Sequence, residues 1–156
     1  MPEIGYFHPQ IVHFVVALLF AGVLVRWVSL TGKLPWLGPG ATTLLLAGTL
    51  AAVAAVKSGL DAHGPVERVP GARPAVVAHE EWGKRARNVF LAVSGLEILA
   101  LALAARPGAR RGLLVASAVV GLAGCVVLFE AAEHGGTLVY SYAGGVGIRS
   151  GEPDDV

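Results

Sequence analysis

Five histidines, His8, His13, His63, His79 and His134, are the side chains of this chain best suited to holding a redox cofactor or metal, since neutral imidazole ligates iron, copper and zinc. His13 is followed at i+4 by Ala17 and at i+8 by Ala21; His79 is followed at i+4 by Gly83 and at i+7 by Ala86. On a helix these small residues share a face with their histidine, leaving a slot where a flat macrocycle can reach the imidazole. A glycine inside a helix costs up to about 1 kcal/mol relative to alanine, so Gly83 marks either close helix packing or a bound group. Lys84, Arg85 and Arg87 follow His79 closely enough to pair with the propionates of a haem, although basic residues at helix ends also snorkel to an interface without any ligand. Glu80, Glu81, Glu130 and Glu133 beside His79 and His134 offer the rival chemistry of a non-haem metal shell. HExxH is absent, however, and adjacent helix residues diverge by about 100°. The absence of CxxCH excludes covalent c-type attachment. The single cysteine, Cys125, excludes an intrachain disulfide framework and a thiolate cluster and reads as inert packing.

The elements that must position these histidines are membrane helices. Of 156 residues, 54% are hydrophobic and only 15% charged, against about a quarter charged in soluble domains, and the 21 glycines suit close helix contacts in a bilayer. A net charge of +1 excludes a nucleic-acid footprint, which requires a basic face. Spans of about 20 apolar residues cross a bilayer core of about 30 Å. The apolar runs predict four of them, at residues 10–30, 40–60, 79–105 and 112–134, the third apolar from Val89 but helical from about Val76. These form one domain over residues 1–148, an all-α integral membrane four-helix up-down bundle, with a flexible tail over 149–156. The tail after Gly135 is too rich in glycine and polar residues to span, and Gly64 to Pro74 reads as a polar loop. The first span has no preceding Lys or Arg and outruns a signal h-region, so it is expected to remain as a helix.

Up-down order puts all five histidines at one end of the bundle. A shared site explains this; the bland alternative is that polar helix ends collect histidine. At the other end lie Arg26, Lys33, Arg106, Arg110 and Arg111, in short loops free of acids. Basic short loops face the cytoplasm; the Lys/Arg tally, five at this end against seven at the histidine end, does not decide the orientation, but the compact acid-free turns and the approach to the first helix, uncharged apart from Glu3, lead both termini to be expected outside the cytoplasm. Glu97 lies within the third apolar run, a functional hypothesis by default, and stands 18 residues from His79, five whole turns at 3.6 residues each, so both should face the bundle. An Arg26–Glu97 structural pair is favoured over a proton-relay or quinone role. Lys57 is expected to snorkel or to meet Glu130, and His63 to cap or hydrogen-bond in its turn.

The run His8-Pro9-Gln10-Ile11-Val12-His13-Phe14 before an apolar helix resembles the HPxxVHFPIAL opening of the bacterial membrane family called domain of unknown function 2231. Ser58-Gly59-Leu60-Asp61 is similar to its TG..D segment, and His79 opens the third helix as a histidine does there. The close His134-Gly135-Gly136-Thr137-Leu138-Val139-Tyr140, then Gly145-Val146-Gly147, is similar to its GGxLVY...GxGV. Val15 stands where the family usually has proline, and Tyr142 and Ala143 where many members carry a further histidine. The resemblance spans nearly the whole chain. Because members are fused to Rieske-type or cytochrome c-type domains, it implies a redox setting without naming a substrate.

The expectation is therefore a b-type haem-binding electron-transfer subunit, more than a stand-alone enzyme, in a bacterial inner membrane. It would hold one haem, or two, and work with other redox subunits, a cytochrome or quinol. The cofactor-binding set is His13 and His79 as first ligand pair, His8 and His134 as second-tier ligands, and Ala17, Gly83, Arg85 and Arg87 around them. The contrasting expectation is a structural or assembly subunit without cofactor, packed on partner helices through Gly22, Gly48, Gly95, Gly121 and Gly124. A transporter needs a polar path or Gly/Pro-broken paired spans, and neither is legible.

Overall fold

A computed structural model describes residues 4–142. After a 3-10 turn at Ile4–Phe7, the helices are α1 (His8–Ser29), α2 (Leu37–Asp61), the short α3 (His63–Glu67), α4 (Arg73–Ala102) and α5 (Pro107–Tyr142). Pro9, Pro74 and Pro107 sit in the first turns of α1, α4 and α5, where a missing N–H costs nothing because that donor has no intrahelical partner. Gly32 (φ 71°) and Gly71 (φ 81°) make the left-handed turns of the connections before α2 and α4, a conformation that costs glycine little. Short connections force antiparallel neighbours: α1 packs on α2 and α4 on α5, and α2–α4 and α1–α5 contacts close the four-helix bundle.

The core is a column of Val15, Leu19 and Val23 from α1, Leu45, Ala52 and Ala55 from α2, Ala86, Phe90 and Val93 from α4, and Cys125 and Leu128 from α5. Phe14, Phe20, Leu24, Leu50, Leu122, Val126 and Phe129 are exposed on the outside. A bundle apolar both inside and out is built for lipid rather than water. The segments Ile4–Ser29, Leu37–Asp61 and Pro107–Tyr142 are each long and apolar enough to cross a membrane. In α4 the apolar part, Val89 to Ala102, gives only about 21 Å of helix, and its charged first half runs on beside the other helices.

Three boundaries depart from the sequence expectation. The polar loop after α2 contains the helical turn α3. Helix α4 starts at Arg73, held by buried Val76. Helix α5 continues through Gly135 and Gly136 to Tyr142, because Gly135 packs under the His79 ring and Leu138 is buried; tertiary contact there outweighs glycine's poor propensity. Residues 149–156, for which a flexible tail was expected, lie outside the described residues, as do Ala143 and the Gly145-Val146-Gly147 motif.

Close approach relies on glycine. A Cβ at Gly48 would stand 2.6 Å from Leu19, one at Gly121 2.9 Å from Val23, and one at Gly124 2.9 Å from Phe90, while Gly22 meets Leu45 at 3.0 Å. These four glycines pack within the bundle; only Gly95 of the five opens onto free space.

The Arg26–Glu97 pair forms, both side chains essentially fully buried. Arg26 Nε donates to Glu97 Oε1 at 2.8 Å, and its terminal nitrogen reaches Oε2 as well as Thr42 Oγ1 at 2.7 Å. Thr42 donates to Glu97 Oε2 at 2.8 Å, and Ser117 donates to Oε1. The network thus takes one polar side chain from each of α1, α2, α4 and α5. Among the described residues no buried side-chain nitrogen or oxygen lacks a partner. Lys57 lies 3.9 Å from Asp61 on its own helix, not at Glu130.

Candidate functional site

At the opposite end the starts of α1 and α4 bring His8 and His79 together. Their ring centroids are 6.1 Å apart and their planes 80° to one another. Each ring is held by the same device. His8 Nδ1 lies 3.0 Å from Ser58 Oγ, whose own hydrogen goes to the Ala55 carbonyl at 3.0 Å, so His8 Nδ1–H is the donor. His79 Nδ1–H donates to the Ala131 carbonyl at 2.9 Å. Each ring is thus anchored through Nδ1, which leaves Nε2 as the nitrogen available to a ligand, as in a ligating histidine whose other nitrogen is held. Glycine makes room for each: a Cβ on Gly59 would lie 3.0 Å from His8 Cε1, and one on Gly135 2.9 Å from His79 Cε1.

The two imidazoles open on a shallow pocket of about 80 Å3, smaller than a fully formed cofactor site, walled by Val12, Val16, Ala52, Val56 and Leu128. Its polar lining, beyond the two rings, is His63, Glu80 and Arg87. His63, the first residue of α3, lies 3.7 Å from Glu67 and 3.6 Å from Glu80, so it links α3 to α4. Lys84 is tied to Glu80, whose carboxyl it holds below the usual carboxylate range.

The other expected site residues divide. Gly83 and Arg87 line the pocket, the guanidinium of Arg87 resting on Asn88 Oδ1 at 2.9 and 3.1 Å. His13 and Ala17 are exposed on the outer face of α1, with His13 Nδ1 turned back to the Pro9 carbonyl at 2.6 Å; the structure opposes His79 with His8, not His13. His134 turns its Nδ1 to the Glu130 carbonyl at 2.8 Å and packs on Trp82 at 5.9 Å, and Arg85 covers the same indole at 4.8 Å. His134 and Arg85 thus form a separate cluster outside the pocket lining.

The choice of His8 was within reach of the sequence. Arg26 faces the interior, and His8 precedes it by the same five turns that separate His79 from Glu97. His13, thirteen residues before Arg26, falls about 220° around the helix at 100° per residue. Ser58, Gly59 and Gly135, which build the cradle, show themselves only once α2 and α5 are packed.

Among the described residues no three His, Cys, Asp or Glu side chains converge as a metal-binding group. The His8 and His79 rings meet edge to face beside these apolar walls.

The family described as predicted membrane protein (DUF2231) matches residues 6–148. No curated protein and no solved structure matches the chain. The chain belongs to the DUF2231 family and is a membrane protein.

Proposed function

We propose that this DUF2231 member is a b-type haem-binding electron-transfer subunit, within or associated with a respiratory or photosynthetic redox complex of the bacterial inner membrane. The observation that carries the reading is the His8–His79 pair: two imidazoles on different helices, each anchored through Nδ1 and each cradled by a glycine. Haem, when bound, supplies the one-electron chemistry. Nε2 of His8 and of His79 would hold the iron, and Val12, Val16, Ala52 and Val56 would provide apolar walls beside the ring. Arg87 is the cation in the pocket lining, and it would have to exchange its exposed contacts to Asn88 Oδ1 for a propionate, while Lys84 is held by Glu80 and Arg85 lies on Trp82. The compact acid-free turns at the other end favour the cytoplasm for that end, so the pocket would open on the non-cytoplasmic side, toward a quinol or partner cytochrome. One haem per chain suits the single opposed pair.

The test is a reduced-minus-oxidised visible spectrum of detergent-purified protein with pyridine haemochrome quantitation. A b-type signal near one haem per chain supports the reading. A colourless protein after haem-supplemented expression returns the chain to a structural or assembly role, a role that loses part of its basis because four of its five interface glycines are already packed internally.

A further inference from the structure

The end of the bundle remote from the histidines holds a second cavity, of about 310 Å3 counting its mouth, between α2, α4 and α5. The buried Arg26–Glu97 pair forms its floor, with Gly38, Pro39 and Thr42 from α2, Ala100 and Leu101 from α4, and Arg110 and Leu114 from α5. The charges at this end do not cancel. Glu97 is consumed by Arg26, Thr42 and Ser117. No other Asp or Glu occurs from Ile4 to Leu60 or from Ile98 to Phe129, while Lys33, Arg106, Arg110 and Arg111 all fall in those stretches. Arg110 is exposed at the cavity and makes no side-chain hydrogen bond or ion pair among the described residues. The N-terminus of α2 lies against the same space and adds its positive dipole end. Beside the cavity, exposed Ile98, Leu101 and Val115 continue an apolar surface along α4 and α5.

We propose that this cavity receives the phosphate of an anionic phospholipid, with Arg110 as its cation and the acyl chains lying on the outward faces of α4 and α5. An apolar track leading to a small cavity with one unpaired guanidinium suits a lipid anion. A guanidinium is also well shaped to grip phosphate oxygens in two-point contact. Because Arg106 and Arg111 share the region but do not line the cavity, the proposal separates a built site from diffuse attraction to a charged surface.

Purified protein in detergent, titrated with phosphatidylglycerol, with phosphatidylcholine of the same chains, and with inorganic phosphate, gives the test by native mass spectrometry and thermal unfolding. Phosphatidylglycerol should bind and raise the unfolding temperature, and phosphatidylcholine should not. Arg110→Gln should weaken that binding about tenfold, the loss of one charge-assisted hydrogen bond, while Arg111→Gln leaves it nearly unchanged. Leu114→Trp, which fills the cavity without altering charge, should abolish it. Equal binding of both lipids, equal loss in Arg110→Gln and Arg111→Gln, or an equal effect of inorganic phosphate alone would overturn the proposal.

Discussion

At the scale of single residues the molecule is organised by two polar clusters in an apolar chain. His8 and Arg26 on α1, like His79 and Glu97 on α4, are five turns apart, about 27 Å, close to the thickness of a bilayer core. A bilayer core of that thickness would therefore put the histidine pair near one face and the Arg26–Glu97 pair near the other. Removing Glu97 alone leaves Arg26 charged and unmatched in the interior. Glu97→Leu should destabilise the bundle by about 3–5 kcal/mol, whereas Arg26→Leu/Glu97→Leu together should recover most of that loss, since replacing a whole buried pair by apolar groups is often neutral. Unfolding of the reconstituted or detergent-held protein measures both; equal instability of the single and double variants would mean that the pair is not what is lost. The pairing of Arg26 with Glu97 was legible from helical periodicity. The ligand-like partner of His79 was misplaced by judging His13 on the small residues that follow it. Ala17 and Ala21 are small, but they are exposed to the outside of α1, where smallness makes no slot.

At the scale of elements, the four long helices and their order follow from apolar run length and the proline positions, and the structure departs mainly at ends. Gly135-Gly136 reads as a stop because intrinsic propensity is a local quantity. The helix continues because the His79 ring lies against Gly135, a contact between residues 56 apart that no local pattern carries. The same distinction separates the glycines. Gly48→Val should cost about 1–3 kcal/mol by overpacking α1 against α2, given Leu19 only 2.6 Å from the added Cβ. Gly83→Ala has nothing within 4 Å of its Cβ and should be neutral or stabilising by up to about 1 kcal/mol. Thermal unfolding in detergent compares them, and a destabilised Gly83→Ala would contradict the open pocket drawn beside His79.

At the scale of the whole molecule, the bundle presents a histidine end and an arginine end with lipid-facing apolar surface between. The histidine end is expected on the non-cytoplasmic side, because Lys33 and Arg106 in the short acid-free connections and Arg110 and Arg111 in the first turns of α5 lie at the other. In a Cys125→Ala background, a membrane-impermeant maleimide should label Gly64→Cys from outside intact cells and should label Thr31→Cys only after permeabilisation; the reverse pattern would invert the topology. Family and fold were legible in the sequence, whereas the cofactor rests on the site. The most direct measurement of that central claim is the reduced-minus-oxidised spectrum recorded side by side for the native chain, His8→Ala, His79→Ala and His13→Ala. The b-type signal should be present in the native chain and in His13→Ala and absent from His8→Ala and His79→Ala. A signal that survives in both of the latter, or no signal in any of the four, would contradict it.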